Sequence, residues 1–69
     1  NFNVQFNSSS NKDILINVYD ISGREIFTKT YPTQSLFSQN IQLNSVQAGV
    51  YLVNIQDGNQ KSVRKIVIQ

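Results

Sequence analysis

Apolar and polar residues alternate along most of this chain, and no stretch repeats with a helical period. Phe2, Val4 and Phe6 share one face of a first strand, which the polar cluster Asn7-Ser8-Ser9-Ser10-Asn11 stops. Lys12 to Tyr19 reads as a second strand. Ile14, Ile16 and Val18 point one way, Leu15 and Tyr19 the other, with Asn17 between them. A strand apolar on both faces is expected to be central or covered. Asp20-Ile21-Ser22-Gly23 is expected to close a hairpin. Asp at the first turn position can accept from a backbone N–H two residues on, and Gly at the fourth supplies positive φ.

Arg24 to Tyr31 is the returning strand, ended by Pro32, which cannot donate to a ladder. Thr33-Gln34-Ser35 reads as loop. Leu36 to Leu43 is a weaker strand with Phe37 out of phase with Leu36 and with Ile41 and Leu43 in one phase. Asn44 to Gly49 connects across the end of the domain. Val50 to Gln56 carries the strongest strand signal, Asp57-Gly58 marks a tight primed hairpin, and Lys61 to Ile68 is the last strand.

The pattern predicts an all-β fold, a compact immunoglobulin-like β-sandwich of about six to seven short, mostly antiparallel strands. Residues 1–69 form a single domain in this reading. The strand count is one low for that fold, and the remaining edge strand is expected upstream of Asn1.

Composition changes this picture mainly by exclusion. The chain has no cysteine and no histidine, so no disulfide can support it and a zinc site would need carboxylates alone. The core must rest on Ile, Val, Leu, Phe and Tyr. No apolar run reaches the length of a membrane span, and Asn1 to Phe6 reads as a strand instead of a signal peptide. The net charge of +2 offers no basic face broad enough for nucleic acid. Uncharged polar residues carry most of the solubility. The isolated domain is expected to be monomeric.

The chain has four carboxylates, Asp13, Asp20, Glu25 and Asp57, and two of them sit in turn signals. Nothing in their spacing pairs two across a cleft, and no histidine is present to activate a serine. No catalytic, cofactor-binding or metal-ligating residue is assigned, and the chain is read as a non-enzyme. The oxygens of Asp57-Gly58-Asn59 are of the type that binds calcium, but a hard cation needs about six or more ligands, which favours a plain hairpin turn. Asn7-Ser8-Ser9 matches the N-glycosylation pattern within a turn so rich in Ser and Asn that the loop reading is preferred.

Two features carry more weight. Leu43 to Tyr51 contains the elements of a tyrosine corner: Leu43 and Val46 can plug the end of the sandwich, Gly49 can turn, and the Tyr51 hydroxyl can reach back to upstream backbone. Asp20, Gly23, Gly49 and Tyr51 are therefore the turn and fold motif. Lys61, Arg64 and Lys65 make the last strand basic. Such charge either guards an edge against aggregation or marks a tail that a partner grips by strand addition.

Taken together and in order, the Val18-Tyr19-Asp20 run with Gly23, Leu43, the Ala48-Gly49-Val50-Tyr51 run and the terminal Lys65-Ile66-Val67-Ile68-Gln69 resemble the type A C-terminal sorting domain of the type IX (Por) secretion system. The resemblance covers nearly the whole chain. It implies an immunoglobulin-like sandwich at the C-terminus of secreted and cell-surface proteins of the Bacteroidota. The parent would reach the periplasm by a conventional signal peptide and cross the outer membrane through a β-barrel translocon directed by this domain. A shuttle barrel protein would receive it, and a sortase-like cysteine peptidase would remove the domain, leaving the cargo extracellular or joined to the cell surface. Lys65, Ile66, Val67, Ile68 and Gln69 are then the residues the translocon recognises. Family members usually begin with a Tyr-Pro-Asn-Pro run, which is absent here, so the processing site is expected further upstream. The competing readings are an immunoglobulin- or fibronectin-like adhesion or spacer module, and a small carbohydrate-binding module using Tyr19, Tyr31 and Phe37.

Overall fold

The computed structural model describes residues 2–43 and 46–69. Asn1, and Asn44 and Ser45 of the expected end connection, lie outside the described residues. The described chain has six strands: β1 (Phe2–Asn7), β2 (Ile14–Asp20), β3 (Glu25–Tyr31), β4 (Leu36–Ile41), β5 (Gly49–Asp57) and β6 (Gln60–Ile68). All the strand pairs are antiparallel.

β1 pairs with β4 in a two-stranded sheet, and the second sheet has the order β3-β2-β5-β6. The larger sheet has the neighbours of the C′, C, F and G strands of an immunoglobulin fold, and β1 and β4 pair as its B and E strands do. The fold is the expected sandwich. Among the described residues the second edge of β1 has no partner; in that fold the A strand lies there.

β2 is a central strand, as expected, with β3 along one edge and β5 along the other. Its inner residues Ile14, Ile16 and Val18 are buried with Tyr51 and Val53 of β5 and with Phe37 and Ile41 of β4. Phe6 stacks on Phe37 at 4.9 Å between ring centroids, and Tyr31 meets the same ring edge-on at 5.1 Å. Leu43 and Val46 pack against this cluster from the end of the sandwich, where the sequence placed them.

Several strand limits shift by one or two residues from the sequence reading, β4 ending at Ile41 instead of Leu43 among them, and two of the shifts have local reasons. β2 begins at Ile14 instead of Lys12 because the turn runs on: Asn11 has φ +59°, and the Lys12 N–H donates to Ser10 Oγ at 3.1 Å. β3 begins at Glu25 because the Arg24 N–H donates to the Asp20 carboxylate at 2.9 Å. Pairing then slips by one residue. Tyr19 faces Glu25 and Val18 faces Phe27, so Ile26 is the extra residue of a β-bulge.

Candidate recognition site

The two hairpins are held by side chains as well as by backbone. In the β2–β3 turn, Gly23 has φ +90° and donates its N–H to the Asp20 carbonyl at 3.0 Å. Asp20 Oδ1 also accepts from the Ser22 N–H (3.0 Å) and the Ser22 hydroxyl (2.6 Å), and Asp20 Oδ2 lies 3.2 Å from Arg24 Nε. The Ser22 hydroxyl first, then the Arg24 backbone N–H, hold the Asp20 carboxyl below its ordinary value of 3.8. In the β5–β6 turn, Gly58 has φ +63°, and a Cβ there would stand 2.8 Å from Ser10 Cβ. The preceding Asp57 carboxylate accepts from the hydroxyls of Ser8 (2.8 Å) and Ser10. These contacts, both to Asp57 Oδ1, tie the β1–β2 loop to the β5–β6 turn.

At the opposite end, the Tyr51 hydroxyl donates to the Gln47 carbonyl at 2.6 Å, and the ring is buried. This is the tyrosine corner, at the start of the strand where immunoglobulin-like folds carry it. Gly49, beside it, has φ +157°, a backbone conformation that L side chains rarely adopt, although a Cβ there would meet nothing within 4 Å.

The five residues expected to be recognised divide between two faces of β6. Register places Ile66 opposite Tyr51 and Ile68 opposite Gly49, on the inner side, where both isoleucines pack against the core. Lys65 and Val67 point the other way and are exposed. Gln69 follows the strand and is exposed. The outer edge of β6 has no strand beside it among the described residues. On the inner side, Arg64, Ser62 and Gln60 line an open groove against the whole length of β1.

The outer face of the larger sheet carries a polar ladder for which the sequence held one weak signal, an Asn inside an otherwise apolar strand. Asn17 is only 8% exposed although it faces away from the core. Its Nδ2 donates to Glu25 Oε1 (2.8 Å) and Thr28 Oγ1 (2.9 Å), and its Oδ1 accepts from Asn54 Nδ2 (3.2 Å). The ladder thus crosses three strands. Among the described residues no row of aromatic rings crosses this face. Tyr31 and Phe37, offered by the sequence as a sugar-stacking platform together with Tyr19, belong to the core instead. Both lie in phase with the inner faces of their strands, and burying such rings stabilises the fold more than exposing them.

Among the described residues no group of three or more Asp and Glu side chains is placed to hold a metal ion, and no helix is long and apolar enough to cross a membrane. In comparisons with known proteins, the family described as the secretion system C-terminal sorting domain matches residues 1–69, the whole chain. No curated protein and no solved structure matches it.

Proposed function

Because this chain belongs to the family of secretion system C-terminal sorting domains, it is a type IX export signal, and we propose that β6 and the residues after it are the part the machinery reads. Export across the outer membrane, to the cell surface or the extracellular space, follows from the family. Interaction with the secretion machinery follows as well. The outer-membrane translocon as first receiver, a shuttle barrel protein and a sortase-like peptidase are the finer partners of this reading. The domain contributes an address and no reaction of its own.

The observation that carries the proposal is the position of β6. It is a nine-residue strand whose outer edge has no strand beside it among the described residues, anchored to the core through Ile66 and Ile68 while Lys65, Val67 and Gln69 remain exposed. An anchored edge presents its backbone N–H and C=O groups at fixed spacing, which suits capture by strand addition. The division of β6 also assigns roles: the isoleucines hold the strand, and the exposed residues meet the partner.

Deleting Ile66 to Gln69 mixes two effects, because the isoleucines support the fold. A short Gly-Ser segment placed directly after Gln69 separates them. In a type IX-competent bacterium, cargo bearing this segment should keep the circular dichroism of the parent domain and lose export. Normal export of the extended protein would overturn recognition at the strand end.

A further inference from the structure

The outer face of the larger sheet is uneven. Its β2–β3 half carries the polar ladder in which the Asn17 amide is satisfied by Glu25, Thr28 and Asn54. Its β5–β6 half is apolar and basic. Register sets Lys65 opposite Leu52, Val67 opposite Val50 and Val63 opposite Asn54, with Lys61 opposite Gln56 at the end of the strand. Val63 and Val67 are each 61% exposed and Leu52 is 39% exposed. Directly opposed residues on one face lie about 4.5–5.5 Å apart at Cβ, and diagonal neighbours about 7–8 Å. Val50, Leu52, Val63 and Val67 therefore form one apolar patch, with Lys65 across its middle and Lys61 at its end.

Neither lysine forms an ion pair within 4 Å among the described residues. Arg24 with Asp20 is the ion pair among the described residues, Asp57 is held by two serines on the groove side, and Glu25 accepts from Asn17. Exposed aliphatics between unpaired cations are costly to leave in water and favourable to cover with a surface of opposite charge.

We propose that this β5–β6 face, built from Val50, Leu52, Val63 and Val67 with Lys61 and Lys65, docks an acidic protein surface that has an apolar centre. The proposal rests on the export reading and adds the chemistry of the partner on the face where Lys65 and Val67 lie. A protein fits better than an anionic membrane, since surface binding to anionic lipid draws on clusters of about four to eight basic residues and this face has two. It fits better than an anionic glycan, which would leave the valines and Leu52 unmatched. An apolar centre with a charged rim is the anatomy of a protein–protein contact.

The test uses the full-length cargo in a type IX-competent bacterium, with a photo-crosslinking amino acid at Val63 or, as control, at the exposed Gln5 of β1. Position 63 should give one dominant protein adduct whose cross-linked peptide is rich in Asp and Glu, and position 5 should not give it. The double variant Lys61→Glu/Lys65→Glu should lower both the adduct and surface export by about tenfold or more at unchanged melting temperature, because attraction becomes repulsion. Lys61→Arg/Lys65→Arg should restore both. If charge reversal lowers the melt, Lys61→Gln/Lys65→Gln replaces it with the same expectation at smaller size. A lipid or glycan adduct, a non-acidic contact peptide, an equal adduct from position 5, or normal export of the charge-reversed cargo would each overturn the proposal. Export that tolerates the Gly-Ser segment but not charge reversal would overturn terminal recognition and leave this face standing.

Discussion

Ile16 and Asn17 are neighbours on β2, yet they report two different ways of making a sheet face. Ile16 points inward, fully buried among Val18, Val53, Phe37 and Ile41, and its contribution is the removal of apolar surface from water. Asn17 points outward and is almost as buried, but it stays there only because Glu25, Thr28 and Asn54 satisfy its amide. The inner face tolerates any residue that is apolar and of the right size. The outer face sets specific partners, and it leaves its β5–β6 half uncovered. The difference teaches that stability and recognition are divided across a single sheet by the two-residue period of its strands.

The largest expected break comes on the inner face. Ile16→Ala should cost about 2–5 kcal/mol, the transfer term plus the cavity it leaves. A domain of this size rarely has more than about 3–5 kcal/mol in reserve, so a thermal melt of the variant should show a chain largely unfolded. A native-like melt would mean that the inner face collapses around the gap and is less closely packed than its burial indicates.

Asn17→Ala should follow, at about 1–3 kcal/mol, because the substitution removes the link from β2 to partners on β3 and β5 without opening a large cavity. Urea unfolding would measure it. Parent-like stability would make the ladder incidental and reduce the contrast between the faces to burial alone.

Tyr51→Phe sharpens the comparison within one side chain, since its ring belongs to the core while its hydroxyl bonds Gln47. The variant keeps the packing and loses one hydrogen bond, at about 1 kcal/mol. A loss as large as that of Ile16→Ala would show that the corner, and not the ring, holds the end of β5.

Much of this was legible because local chemistry and the global fold agree. The alternation of Ile14, Ile16 and Val18 gave the core face of β2, Pro32 gave the end of β3, and Asp20 with Gly23 gave the turn down to its hydrogen bonds. The tyrosine corner was readable because it closes over four residues. A sugar-binding module would need Tyr31 and Phe37 exposed, and only the packing of the two sheets showed that both are buried. Among the recognition residues, the family resemblance supplied the list, and only the register of β6 against β5 separated anchors from exposed groups.

The sequence by itself determined the strands, the turns, the absence of sulfur and imidazole chemistry and the family, because each depends on residue type at short spacing or on an ordered set of motifs. Tertiary structure decided three things that cross long stretches of chain. It paired β2 with β5, so that Asn17 met Asn54 across the sheet. It brought Ser8 and Ser10 to Asp57, which lies far away in sequence. It set Lys65 opposite Leu52 and Val67 opposite Val50, which turned scattered apolar and basic residues into one surface. The physical reason is the same in each case: a strand fixes which of its residues share a face, but only pairing with a distant strand fixes what that face lies beside.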